Sequence, residues 1–326
     1  MAKRLVTLLL IGILLITFNG CRSPREIPSG IAVEFNNHAA SAYVAHDKGW
    51  FETEGLGLLP IFQIYESGAA IAIALARGDI QIAYLGLTGA ILSYARGVPI
   101  TVVSGVHQYG YGLVVRPEIK NITDLNNMTV GSLREGTVTD LLFNIIIEKY
   151  NLKNITISRM SPSEAVIALT SGQLAAAIIP EQHATVAGSK GFPMLIKSQD
   201  LWPGMQGDVL VVRTRLAEEN PDLVATLVAV THRATAWINE HPVETAEIMA
   251  GQLQVAGQVL YPAKEAPVTT NFQITPEIIS RSMQRIKYTT DINPAVVQEM
   301  IDFMVNLGYI KSEFKAADIL NLRYLP

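Results

Sequence analysis

The chain has 326 residues, 49% of them hydrophobic and only 17% charged, with a formal net charge of −4. That length allows one large or two medium domains, and a sparse charge without any basic block argues against nucleic acid as a partner. A lone cysteine excludes an internal disulfide.

The N-terminus reads as an export signal. Lys3 and Arg4 precede an apolar run from Leu5 to Phe18, the length of a secretory core and too short to span a membrane comfortably. The run ends at Phe18-Asn19-Gly20-Cys21, and polar residues follow at once. A small residue before the only cysteine resembles the lipobox at which prokaryotic lipoproteins are cleaved, although Phe18 stands where an aliphatic residue is usual. The expectation is a signal peptide over 1–20, lipidation of Cys21, and a tether over 21–30. Acyl chains would hold the protein on a membrane surface without crossing it. No later segment supplies the roughly 18 continuous apolar residues that a spanning helix needs.

From Ile31 the chain alternates. Strands are predicted over 31–35, 58–65, 80–85 and 100–106, with helices over 39–51, 69–77 and 88–96 between them. The rhythm restarts with strands over 128–132, 155–159 and 175–179 and helices over 137–150 and 162–170. Short β-rich runs alternating with helices of about ten residues predict parallel βαβ units. After a strand over 209–212 the character changes to long amphipathic helices (220–239, 242–252, 275–287, 294–307). Each begins with a first-turn proline, at Pro221, Pro242, Pro276 or Pro294.

One stretch is echoed. Residues 74–86 (ALARGDIQIAYLG) align with 168–180 (ALTSGQLAAAIIP), each a helix that ends on a glycine before an inward strand. Two similar lobes with a cleft between them follow from that repeat, although the glycine turn by itself is common.

Catalytic constellations are missing. Gly131 to Thr137 has the glycine spacing of a phosphate loop but threonine where lysine is required. The six histidines (His38, His46, His107, His183, His232, His241) show no ligand spacing, so no metal or other cofactor is expected. No GxSxG elbow occurs. What the sequence does offer is a set of strand-to-helix turns, at Asn37-His38, Ser67-Gly68, Leu87-Thr88 and Gly136-Thr137. There, free amides and hydroxyls at helix starts are expected to meet a ligand's oxyanion, and ordinary capping is the competing reading.

The stretch His38 to Leu56, with Tyr43-Val44-Ala45 and Gly49-Trp50-Phe51-Glu52-Thr53-Glu54-Gly55-Leu56, is similar to the opening motif of the nitrate/sulfonate/taurine family of periplasmic ABC substrate-binding proteins. The likeness continues through Leu75 to Ala83, Ala95 to Ile100, Ile122 to Leu125, Ala168 to Ala177 and Ile238 to Pro242. It implies an α/β, two-lobed type II periplasmic-binding fold, each lobe a mixed sheet flanked by helices. Lobe 1 is expected over 31–108 plus 212–326 and lobe 2 over 109–211, with crossovers near His107-Tyr109 and Asp208-Leu210.

The same resemblance implies ligand contacts at Asn37, His38, Ser67, Gly68, Leu87, Thr88, His107, Gly136, Thr137 and Glu181. It implies a non-catalytic, monomeric subunit that hands a small solute to ABC permease subunits. Carboxylates at Glu66, Glu181 and Asp208 favour a solute with an amine beside an anionic group, with His107, Tyr109, Tyr111 and Trp202 as planar walls. Two alternatives stay open: a cytoplasmic-type enzyme on the same fold that makes a pyrimidine or menaquinone precursor, and a ligand-sensing subunit of a membrane receptor.

Overall fold

The computed structural model describes residues 30–56, 62–260, 274–311 and 313–326. The expected leader, Cys21 and the tether up to residue 29 lie outside the described residues. Among those described, no helix is long and apolar enough to cross a membrane.

Two five-stranded sheets form the molecule. The first contains β1 (Ile31–Glu34), β2 (Phe62–Tyr65), β3 (Ile82–Gly86) and β4 (Ile100–Gly105). The chain then passes through β5 (His107–Tyr109) into the second sheet. That sheet contains β6 (Tyr111–Val115), β7 (Thr129–Ser132), β8 (Thr156–Arg159), β9 (Ala176–Pro180) and β10 (Met194–Lys197). It returns to the first with β11 (Asp208–Arg213), and β12 (Ile286–Tyr288) pairs with β5 beside the crossover.

The strand orders are β2-β1-β3-β11-β4 and β10-β6-β9-β7-β8. Read from opposite edges they are the same arrangement. Each has three parallel strands, then an antiparallel strand, then an outer strand antiparallel to that one. In each sheet the antiparallel fourth strand, β11 in the first and β6 in the second, is the one entered from a crossover. Asp208 to Val211, expected in lobe 2, therefore belong to the first sheet, and the second crossover lies earlier, between Lys197 and Asp208.

The echoed segments occupy equivalent places. Gly78 and Gly172 both adopt positive φ (81° and 77°), and the turns around them repeat the same bonds. Gly78 N donates to Leu75 O and Gly172 N to Leu169 O, while Asp79 N and Gln173 N reach back to Ala74 O and Ala168 O. Only a residue without Cβ enters this conformation cheaply, so the glycines end their helices and release β3 and β9.

Both faces of the sheets are covered, and most strand residues are accordingly apolar and buried. The long helices Pro221–Glu240 and Pro242–Leu260 pack around Ala40–Asp47. The helix predicted over 275–287 stops at Met283, and the chain then forms β12. Helix Pro276–Met283 packs on both Pro242–Leu260 and Glu181–Ser189, and so touches elements of both lobes.

Candidate functional site

The site lies where the strands of the first sheet end. β1 delivers Glu34 and then Asn36-Asn37-His38. β3 delivers Gly86-Leu87-Thr88, β11 begins with Asp208, and the crossover strand β5 begins with His107. Asn37, His38, Thr88, His107 and Asp208 are all at most 1% exposed. The second lobe approaches over the same ground. A Cβ on Gly86 would sit 3.5 Å from Val138, and one on Gly136 would sit 2.7 Å from Leu92 Cδ1. The cleft is closed in this structure.

The expected contact residues are brought to this cleft or its rim, but several of their amides are already bonded within the chain. His38 N donates to Asn36 Oδ1 at 2.8 Å and Gly136 N to Asp140 Oδ2 at 3.0 Å. Leu87 N donates to Gly207 O, Thr137 N to Arg134 O and Glu181 N to Gly110 O. The Thr137 hydroxyl also donates to Arg134 O, at 2.7 Å. Backbone N–H groups of Gly68 and Gly86, beside Ser67 and Leu87, face the carboxyl of Glu34 and draw its pKa down. A Cβ on Gly68 would overlap Glu34 Oε1, so only glycine lets that carboxyl approach. The amide cradle expected to receive a ligand's oxyanion is here filled by the protein's own acid.

Burial, aided by repulsion from Asp208, pushes Glu34 up to about 8, while the amides of Gly86 and Gly68 and the Asn36 side chain pull it back. Burial holds His38 down at about 3, helped by His107 and opposed by Asp208. His38 is therefore a neutral imidazole at physiological pH. Its Nε2–H donates to Gly110 O at 2.8 Å, and its ring packs edge-on against Tyr111 with centroids 4.8 Å apart. His107 Nε2 accepts the amide of Asp208 at 2.9 Å. Both carboxylate oxygens of Asp208 are buried with no hydrogen-bond partner.

Glu181 starts the helix that follows β9, the place Leu87 holds after β3. Its Oε1 accepts from Arg285 Nε at 2.6 Å and from Thr185 Oγ1 at 3.2 Å. Burial raises the Glu181 pKa against the pull of Arg285. Arg285 carries no sequence signal, since its partner lies across the cleft. Glu66 is exposed, a solvated residue and not a cleft carboxylate. Trp202 turns toward the C-terminal helices, edge-on to Phe303 at 6.2 Å. Of the expected planar walls, His107 and Tyr111 pack against His38. Glu34 and Asn36, absent from the expected set, are part of the floor.

Comparison with known proteins fits this architecture. Residues 30–254 match the NMT1-like family. A Bacillus subtilis (strain 168) protein assigned to aliphatic sulfonates binding is 24% identical over 319 residues, spanning 94% of this chain and 90% of that one. The ligand-binding component of an ABC-type import system from Staphylococcus aureus, solved with zinc bound, aligns with a TM-score of 0.73 at 18% identity, over 90% of this chain and 96% of that one. The alkanesulfonate-binding protein SsuA from Xanthomonas axonopodis pv. citri, bound to MOPS, aligns at 0.72 and 17% identity, over 90% and 97%. At such identities the solved structures speak for the fold, a two-lobed periplasmic-binding architecture. With the family match spanning both lobes and the cleft, the chain belongs to the NMT1-like family.

Proposed function

We propose that this chain is the exported, lipid-anchored solute-binding subunit of an ABC importer. In this reading it takes a small sulfonate-, nitrate- or taurine-like solute, or a related nitrogen- or sulfur-containing one. The observation that carries it is the closed cleft between two matching lobes, in a chain similar along almost its whole length to a sulfonate-binding relative. Solute enters the open form, contacts with both lobes favour the closed form, and permease subunits recognise that form as a monomer. Lipidation of Cys21 would keep the subunit beside them. The burial of both lobes' facing turns supports solute capture.

Within the solute class, an amino-bearing member fits best. The amides of Gly68 and Gly86 are occupied by Glu34, while Asp208 and Asn37 Oδ1 are buried acceptors without donors. Calorimetric titration with taurine, alkanesulfonates, nitrate and aminopyrimidines tests the reading. Binding of taurine or an aminopyrimidine in preference to nitrate is expected. Binding of inorganic anions alone would remove the amine from the reading, and no binding by any of them would remove the solute class.

A further inference from the structure

Three acceptor atoms converge where the two crossovers meet the first sheet. His38, His107 and Asp208 each offer one ligand atom, all within 4.8 Å of one another and all buried. His107 Nε2 is 3.4 Å and His38 Nδ1 is 3.9 Å from Asp208 Oδ1. The bonds the two rings already make fix what these atoms can do. His38 spends its proton on Gly110 O through Nε2, so its Nδ1 faces Asp208 as a lone pair. His107 accepts the Asp208 amide at Nε2, so its proton is on Nδ1. None of the three facing atoms is a donor to the others. Asp208 is 1% exposed, and neither of its oxygens accepts a hydrogen bond. A buried carboxylate beside one free imidazole lone pair and a second held only by a backbone amide is a cation site by its chemistry.

We propose that His38, His107 and Asp208 bind a divalent transition-metal ion at the hinge. Two imidazole nitrogens and a carboxylate oxygen are a ligand set of zinc and its neighbours. Two bonds of about 2.1 Å to one ion span at most about 4.2 Å; both separations to Asp208 Oδ1, 3.4 and 3.9 Å, fall inside that limit, and the two imidazole atoms, within 4.8 Å of each other, close to it by a small turn of one ring. Tetrahedral N–H bonds from an ammonium, about 2.8 Å each, place their acceptors about 4.6 Å apart, wider than either separation to Asp208 Oδ1. The donation from His38 to a backbone carbonyl is the outer contact that orients metal-binding imidazoles.

The ion takes the Nε2 lone pair that the Asp208 amide now occupies, so its binding opens that bond. His107 belongs to the first crossover and Asp208 closes the second, and His38 is tied to Gly110 between β5 and β6. Metal occupancy thus acts on the segments about which the lobes move.

The test uses the mature chain without a polyhistidine tag, stripped with chelator and titrated with zinc chloride alone, with bound metal counted by elemental analysis. One ion per chain is expected, and cobalt(II) should give a visible d–d spectrum of a nitrogen- and oxygen-ligated site. Asp208→Asn and His38→Gln should each weaken binding by more than about 100-fold, since loss of an outer contact alone costs about 10–100-fold. Circular dichroism melts show whether each variant folds, and His46→Gln, away from the cleft, should bind as wild type. Absence of stoichiometric zinc, nickel and manganese binding overturns the proposal, as does wild-type affinity in both folded site variants. Loss of taurine binding in Asp208→Asn without any metal binding would assign the carboxylate to an ammonium and also overturn it. The metal counts are read without solute, so failure of the metal site leaves the transport reading standing, while its success takes Asp208 out of the case for an amine.

Discussion

Arg285 Nε lies 2.6 Å from Glu181 Oε1, and this pair joins the segment after helix Pro276–Met283 to the first turn of the helix that follows β9. The Glu181 side chain is 1% exposed and that of Arg285 25% exposed, so the acid depends on the guanidinium for its compensation. Removing the arginine leaves a buried carboxyl with the Thr185 hydroxyl as its remaining side-chain donor. Arg285→Ala should cost about 3 kcal/mol, read by urea denaturation, and Arg285→Lys distinctly less. Equal midpoints for Arg285→Ala and wild type would show that Glu181 is not held this way.

Glu34 sets a pH dependence whose sign follows from its raised pKa. The folded protein keeps the proton up to about 8, whereas the unfolded chain releases it near the ordinary 4.5. Between those values the native state binds more protons, so this group's contribution lowers stability as pH rises, and below 4.5 it has no effect. Glu34→Gln should remove that slope and raise stability at pH 8, on the order of a few kcal/mol. Thermal melts from pH 4 to pH 9 on both proteins compare the slopes. Parallel curves would place the titration elsewhere.

Closure is held by a second contact. Asp140, buried at the start of helix Val138–Lys149, accepts from Tyr309 Oη at 2.5 Å and from Gly136 N at 3.0 Å, and it pairs with Arg159. Tyr309 follows helix Pro294–Asn306, which packs on Leu87–Ala95 of the first lobe. Tyr309→Phe should remove about 1 kcal/mol from the closed form and shift the unliganded protein toward the open one. A larger radius of gyration by small-angle scattering, reversed by solute, is the expected signature.

Gly207 gives a local test of the hinge. A Cβ there would overlap the ring of His107. Since His107 is fully buried and bonded to the Asp208 amide, the ring has no free direction in which to yield. Gly207→Ala should destabilise by about 1–3 kcal/mol and weaken solute binding, measured by calorimetry on the folded fraction. Gly97→Ala, with open space around the added atom but a φ of +82°, should destabilise without touching affinity.

Much of the fold was legible because periodicity and glycine turns are local signals. The echo of residues 74–86 in 168–180 pointed to two lobes, and both glycine turns take the same conformation. β6 and β10 left no such signal. Tyr111–Val115 follows the crossover without a turn cluster, and Met194–Lys197 is a four-residue edge strand. Helix Glu181–Ser189 begins after Pro180 without a Ser, Thr or Asn cap. For the site, turns that offer amides can be read from sequence, but their occupants cannot. Glu34 reaches Gly68 only because β1 and β2 pair in register Glu34 to Tyr65, and Asp208 meets His38 only through a crossover.

The order of the first sheet bears on how the chain matures. β3 and β4 are separated by β11, which is made only after the entire second sheet. As the polypeptide emerges from the ribosome, the second sheet has all five strands in hand by Lys197 while the first still lacks a central one. The lobe that starts the chain therefore finishes last, with its unfilled β3 and β4 edges exposed for about a hundred residues of synthesis. A chaperone that occupies those edges would act before Asp208 appears and have no place to bind afterwards.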